Sequence, residues 1–176
     1  MKKVILVAGH KRSSKGAYNK EMDIWEYDLN IKEVMMTYEL LELRGFEPII
    51  IYRDTYAKLP KDINVHYGDI ILLFHHNSYN TKVGGTETLY YHKSEKGKKL
   101  ASILHKKIVK KLNFEDRGIK GKGVEDRGGY ALKYTNAPCV LLEPCFMDNT
   151  LELGLFLERQ NGYVNCIVDG IEEYFK

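Results

Sequence analysis

Long apolar runs are missing from this chain, and so is any paired-cysteine pattern. The strongest apolar stretches, Val4-Ile-Leu-Val-Ala8 and Ile70-Ile-Leu-Leu-Phe74, fall far short of the roughly 20 residues that a membrane-spanning helix needs. The basic start Met1-Lys2-Lys3 precedes an apolar segment that ends at Gly9-His10, too short for a secretory core. Synthesis in the cytoplasm without a signal peptide is the expectation, with no membrane insertion. The three cysteines, Cys139, Cys145 and Cys166, are odd in number and form no CxxC pair, which excludes a disulfide framework and points to free thiols in a reducing site of synthesis. Only four prolines are present and no segment repeats, so disordered, fibrous and repeat architectures are excluded.

Charge of one sign is scarce as well. The formal net charge is +3, too small and too dispersed for a nucleic-acid binder. Lys96, Lys98, Lys99, Lys106, Lys107, Lys110 and Lys111 gather on one predicted helix and read as its solvated face. The Gly-rich tract Arg117 to Gly129 contains Gly-Lys-Gly but lacks the Ser or Thr that a phosphate-binding loop requires after its lysine. It reads as a flexible loop, with Arg127 placed to touch a ligand at a groove rim.

What is present is an ordinary globular composition of 176 residues, 44% hydrophobic and 29% charged, enough to bury roughly two-thirds of the unfolded surface in a single domain. Lys3 to Val7, Phe46 to Tyr52, Asp69 to Phe74, Thr86 to Tyr91, Tyr130 to Tyr134 and Cys139 to Leu142 read as strands; Pro48 marks an edge. Helical spacing runs from about Glu26 to Arg44, with a predicted apolar stripe of Tyr27, Ile31, Val34, Met35, Tyr38 and Leu41 and with Gly45 as its stop. A second helix spans Glu95 to Leu112, and two terminal helices cover Leu151 to Glu158 and Tyr163 to Phe175. Strands alternating with helices predict an α/β sandwich.

Three segments each supply one metal-competent side chain: Ala8-Gly9-His10, Glu26-Tyr-Asp-Leu-Asn30 and Phe74-His75-His76-Asn77. Two imidazoles and a carboxylate are a ligand set of catalytic zinc sites, which keep one position open. His10, His75 and Glu143 each fall at the end of a strand-like run, where open α/β sheets bind their ligands. Glu143 follows Cys139-Val-Leu-Leu142, a costly place for a carboxylate unless it is paired or functional. Neighbouring residues on a strand face opposite ways, so only one of His75 and His76 enters the site; His75 is assigned to the metal and His76 to packing or surface. His66, His92 and His105 are read as structural or solvated. Taken singly each residue has a bland alternative: a turn histidine, a first-turn acid offsetting the helix dipole, an ion-pair partner.

In order along the chain, Gly9-His10, Glu26, His75-His-Asn77, Gly85-Thr-Glu87 and Pro138-Cys-Val-Leu-Leu-Glu143 followed by Phe146-Met-Asp-Asn149 resemble the zinc-dependent N-acetylmuramoyl-L-alanine amidases of the amidase_3 type. The resemblance spans nearly the whole chain. It implies a three-layer α/β sandwich with a mixed, mostly parallel sheet flanked by helices, and one catalytic domain over residues 1–176. It implies one zinc ion on His10, Glu26 and His75, with Glu143 as catalytic acid or base and Asn77, Gly85 and Glu87 near the substrate groove. It also implies cleavage of the peptidoglycan amide between N-acetylmuramic acid and L-alanine. Of the family's settings, a phage endolysin released by lysis suits the N-terminus; a sporulation or autolytic amidase, a zinc hydrolase of another amide and a wall-binding module without activity are the alternatives. The departures are Val7-Ala8-Gly9-His10-Lys11-Arg12 at the first ligand and Leu73-Phe74 before His75. They keep the ligand types and bear on groove shape. The sequence leaves oligomeric state open.

Overall fold

The computed structural model describes residues Met1–Lys176. Three apolar segments form its centre: β1 (Lys3–Ala8), β5 (Ile70–Phe74) and β8 (Cys139–Glu143). β5 and β8 are buried along their whole length, and β1 from Val4 onward, the signature of parallel strands covered on both faces. The other strands are β2 (Tyr18–Asn19), β3 (Ile24–Trp25), β4 (Glu47–Ile51), β6 (Thr86–Tyr91) and β7 (Asp116–Lys122). The main sheet has the order β4-β1-β5-β8-β6-β7. β4, β1, β5 and β8 run parallel, whereas β6 lies antiparallel to β8 and parallel to β7. β4 is an edge strand, where Pro48 costs no ladder bond to an outer neighbour. β2 and β3 make a small separate hairpin.

Helices cover both faces. α1 (Glu26–Leu43), α3 (Glu95–Leu112) and α5 (Thr150–Phe175) close the larger core, with Val4, Leu6, Leu72, Phe74, Val140 and Leu142 pointing toward them. The short α2 (Leu59–Asn64) and α4 (Gly129–Tyr134) cover the smaller core of Ile5, Val7, Ile71, Leu73 and Leu141. The alternation of these two sets along each strand follows from the period of two. Caps are local: Ser94 Oγ accepts from Gly97 N at the start of α3, and Asn149 accepts from Glu152 N at the start of α5.

The mixed, mostly parallel α/β sandwich agrees with the expectation. Four local readings are corrected. Asp116–Lys122, which takes in the start of the Arg117 to Gly129 tract read as a loop, is the edge strand β7; its pairing is backbone-driven, and its glycines and lysines suit an exposed edge. Tyr130 to Tyr134 is helical, not extended, because Gly128 in the left-handed region (φ 80°) turns the chain and Ala131 and Leu132 then seat on the sheet. The two terminal helices are one, α5: Gly162 does not break it but lets Lys111 of α3 lie against its backbone, where a Cβ would collide. Finally, α1 does not bury Tyr27 or Met35; its buried face is Glu26, Leu29, Asn30, Glu33, Val34, Thr37 and Leu41. Its apolar pattern is weak because polar groups occupy the inward face for a reason the site explains.

Candidate metal and catalytic centre

β1, β5 and β8 all end at the same edge of the sheet, and their ends carry the chemistry. Beyond β1, Gly9 N donates to Phe74 O at 2.8 Å, and His10 then adopts φ 67°, in the left-handed region that a histidine rarely occupies. Beyond β5, His75 N donates to Leu142 O at 3.0 Å, which keeps its ring in register with the end of β8. Glu26 opens α1 and reaches the same point. Its Oε1 lies 3.0 Å from His75 Nδ1 and its Oε2 lies 2.9 Å from His10 Nε2. One ligand atom from each of the three lies within 4.8 Å of the others.

The donor set fits a divalent cation on grounds internal to the chain. His10 Nε2 is shielded from solvent and, although near Glu26 Oε2, meets it off the hydrogen-bonding direction and has no partner. Two glycines make the space. A Cβ at Gly16, whose φ is +80°, would sit 2.5 Å from Glu26 Oε2 and 2.6 Å from His10 Nε2, and a Cβ at Gly9 would strike the His75 ring. The carboxylate is aimed from behind: Ala17 N donates to Oε2 and His76 N donates to Oε1, each at 3.1 Å. Such outer contacts orient metal ligands. Burial pushes the Glu26 carboxyl up, but the close approach of His10 Nε2 and the hydrogen-bonded His75 outweigh it and hold the group far below the usual carboxylate range. Burial pulls His75 down against the attraction of Glu26, a shift toward the neutral imidazole, the form that binds a metal.

Glu143 ends β8 beside this cluster, 2% exposed. Burial lifts its carboxyl to about 7; Arg127 opposes the shift while Glu26 and Glu87 add to it. Arg127 Nη2 stands 3.9 Å from Oε1, and Oε2 has no partner. A carboxyl that titrates near neutrality within reach of a metal-competent cluster is equipped to exchange protons.

Against known families, the model described as N-acetylmuramoyl-L-alanine amidase, Amidase_3, matches residues 4–173. The chain belongs to the Amidase_3 family. Members are peptidoglycan hydrolases, and the chain is an enzyme of that amidase class. It is 26% identical over 182 residues to the uncharacterized protein YqiI of Bacillus subtilis, covering 99% of this chain and 85% of that protein. It is 28% identical over 178 residues to the probable cell wall amidase LytH of Staphylococcus saprophyticus, covering 99% of this chain and 58% of that protein. Among solved structures, the catalytic domain of CwlV, an N-acetylmuramoyl-L-alanine amidase from Bacillus (Paenibacillus) polymyxa var. colistinus, superposes with a TM-score of 0.86 at 27% identity, covering 99% of this chain and 98% of that one.

In this Amidase_3 chain the remaining residues singled out in the sequence fall into different places. Asn77 Nδ2 donates to Glu87 Oε1 at 2.9 Å, and Arg117 Nε donates to Glu87 Oε2 at 3.1 Å. Glu87 pairs across the β6–β8 ladder with Glu143. Gly85 has φ +110°, a Cβ there would strike Arg117, and its N donates to Glu152 Oε1 at 2.6 Å. Arg127 lines a cavity of about 910 Å³ that also contains His10 and His75. His76, read as packing or surface, is fully buried. Its Nε2 lies 2.9 Å from Glu33 Oε1 and its Nδ1 lies 3.3 Å from Cys145 Sγ. Burial pulls this imidazole down, but the charge of Glu33 and the hydrogen bonds to Glu33 and Cys145 prevail and hold it well above its usual value. Glu26 and Glu33, two turns apart on α1, thus hold consecutive histidines, which is why the inward face of that helix is polar. The buried His105 bridges Thr88 Oγ1 and the exposed Asp116 Oδ1. Residues the sequence reading missed are Gly16, Glu33 and the cavity residues Arg53, Tyr56, Tyr130 and Tyr134. The spacing of Glu26 and Glu33 was the one signal available for any of them.

Proposed function

We propose that residues 1–176 act as one catalytic domain that hydrolyses the amide between the lactyl group of N-acetylmuramic acid and L-alanine, using a single zinc ion held by His10, Glu26 and His75. The observation that carries this reading is the approach of the three ligand atoms within 4.8 Å of one another beside a buried, partnerless carboxyl oxygen on Glu143. A zinc ion bound there supplies Lewis acidity to the scissile carbonyl and makes water more acidic. Glu143 takes a proton from the attacking water and delivers it to the alanine nitrogen, which cannot leave as an amide anion. Its pKa near 7 suits both halves of that transfer. Arg127 faces Glu143 from the rim and stabilises its ionised form. His76 N and Ala17 N hold the Glu26 carboxylate in place throughout.

Of the settings in which such an enzyme works, release of an endolysin from a reducing cytoplasm is supported by three unpaired cysteines, two of them buried. Metal analysis of the purified chain, together with mass spectrometry of digested peptidoglycan, tests the central reading. The expected result is one zinc per chain and new L-alanine amino termini on intact glycan strands, abolished by chelator and restored by zinc. New reducing sugar ends, deacetylated glycan, or binding to walls without any bond cleaved would overturn it.

A further inference from the structure

The large cavity beside the metal-competent cluster is walled by Tyr56, Tyr130 and Tyr134 and floored by Leu59 and Leu141. Arg53, two residues beyond β4, lines it and also the adjoining hollow that contains Lys11 and Arg12. Its Nε is shielded from solvent and has no hydrogen-bond partner. The neighbouring carboxylate of Asp54 is taken by Lys58 at 3.0 Å, and the guanidinium instead sits 5.9 Å from the centroid of the Tyr56 ring. Burial works against its charge. The acids on the cavity wall, Glu125 and Asp126, are exposed at the rim, and Asp126 Oδ2 accepts from Gly123 N at 2.7 Å. The other arginine of the cavity, Arg127, faces Glu143. Arg53 is therefore a shielded donor with unused hydrogen-bonding capacity, an arrangement that costs free energy until an acceptor arrives. Its planar fork matches a carboxylate.

We infer that Arg53 is the specificity residue for a free carboxylate on the peptide side of the scissile amide, an inference that rests on the amidase reading above. The chemistry of the substrate selects the side. The lactyl carboxyl of the muramic unit is consumed in the amide, so the glycan side offers no anion nearby. The peptide side keeps carboxylates: its second residue, a glutamate joined through its side chain, carries a free α-carboxyl one residue from the bond that breaks. The aromatic and aliphatic wall accommodates the stem, and Lys11 and Arg12 add to the positive field at that end.

The test compares two soluble muropeptides that differ only in whether that α-carboxyl is free or amidated. The wild-type chain is expected to prefer the free acid in kcat/KM by roughly ten- to a hundredfold, the range for a hydrogen-bonded charge pair. Arg53→Ala is expected to bring the ratio close to one, and Arg53→Lys to retain part of it through point charge alone. A ratio is independent of the fraction of enzyme that is folded; if Arg53→Ala yields no soluble protein, Arg53→Gln, which keeps the length of the side chain, gives the same comparison. A wild-type ratio near one, or a preference that survives in the variants, overturns the role of Arg53 while leaving the amidase reading intact. Cleavage of neither muropeptide by the zinc-loaded wild type overturns both.

Discussion

Replacing Glu143 by glutamine separates what this carboxyl does for the reaction from what it costs the fold. The side chain is 2% exposed and its Oε2 has no partner, and burial lifts its pKa from the ordinary 4.5 to about 7. Each tenfold change in proton affinity is worth about 1.4 kcal/mol, so keeping this group ionised costs the folded chain about 3 kcal/mol. The sign follows from proton counts. Between pH 4.5 and about 7 the native state holds a proton that the unfolded chain has released, so stability from this group falls as pH rises through that window and stays low above it. Glu143→Gln, neutral at every pH, removes the fall. In the metal-free protein the variant is expected to match the wild type near pH 4.5 and to exceed it by up to about 3 kcal/mol at pH 8, about 6 to 12 °C in Tm for a chain of this size. Turnover in the zinc-loaded variant is expected to drop about a hundred- to ten-thousandfold, the usual worth of a general acid-base group, with zinc content unchanged. Thermal melts with chelator at the two pH values, beside activity and metal assays, measure all of this. A stability gain that is the same at both pH values refutes the burial argument, and undiminished turnover removes Glu143 from the chemistry.

Two further substitutions probe the frame around the centre. Gly16→Ala forces a Cβ into a φ of +80° and to 2.5 Å from Glu26 Oε2; it is expected to cost about 1–3 kcal/mol and to weaken zinc affinity, read by competition with a chromogenic chelator, whereas Gly45→Ala, with open space around the added methyl, is expected to leave the affinity unchanged. Glu33→Gln leaves His76 buried without its counter-charge and is expected to destabilise by about 3–5 kcal/mol in denaturant unfolding; a loss below 1 kcal/mol would show that the pair is not ionic.

Part of the centre was legible because His10, His75 and Glu143 are tied to strand ends. Runs such as Ile70 to Phe74 and Cys139 to Leu142 announce themselves by composition, so a polar residue directly after them stands out, and His75 and Glu143 were visible on that ground. Glu26 was legible as a metal-competent carboxylate, but a glutamate opening a helix is commonplace, and only the ordered resemblance set it apart from a first-turn acid. Glu33 was hidden because the helix reading looked for an apolar stripe and discounted an inward carboxylate. Tyr130 to Tyr134 was misread because two tyrosines in a short run suit a strand, while the left-handed turn at Gly128 and the seat on the sheet that make it helical are tertiary.

Local chemistry alone determined the α/β class, the strand that ends at each candidate ligand and the residue types fit for a metal, because periodicity and side-chain basicity are properties of neighbours in the chain. Only the tertiary structure decided that one carboxylate spans two imidazoles, that His76 is buried against Glu33, and that Arg53 faces the cavity with a donor to spare. Those facts depend on distances between segments far apart in the chain, and on the exclusion of water around them, which no local pattern encodes.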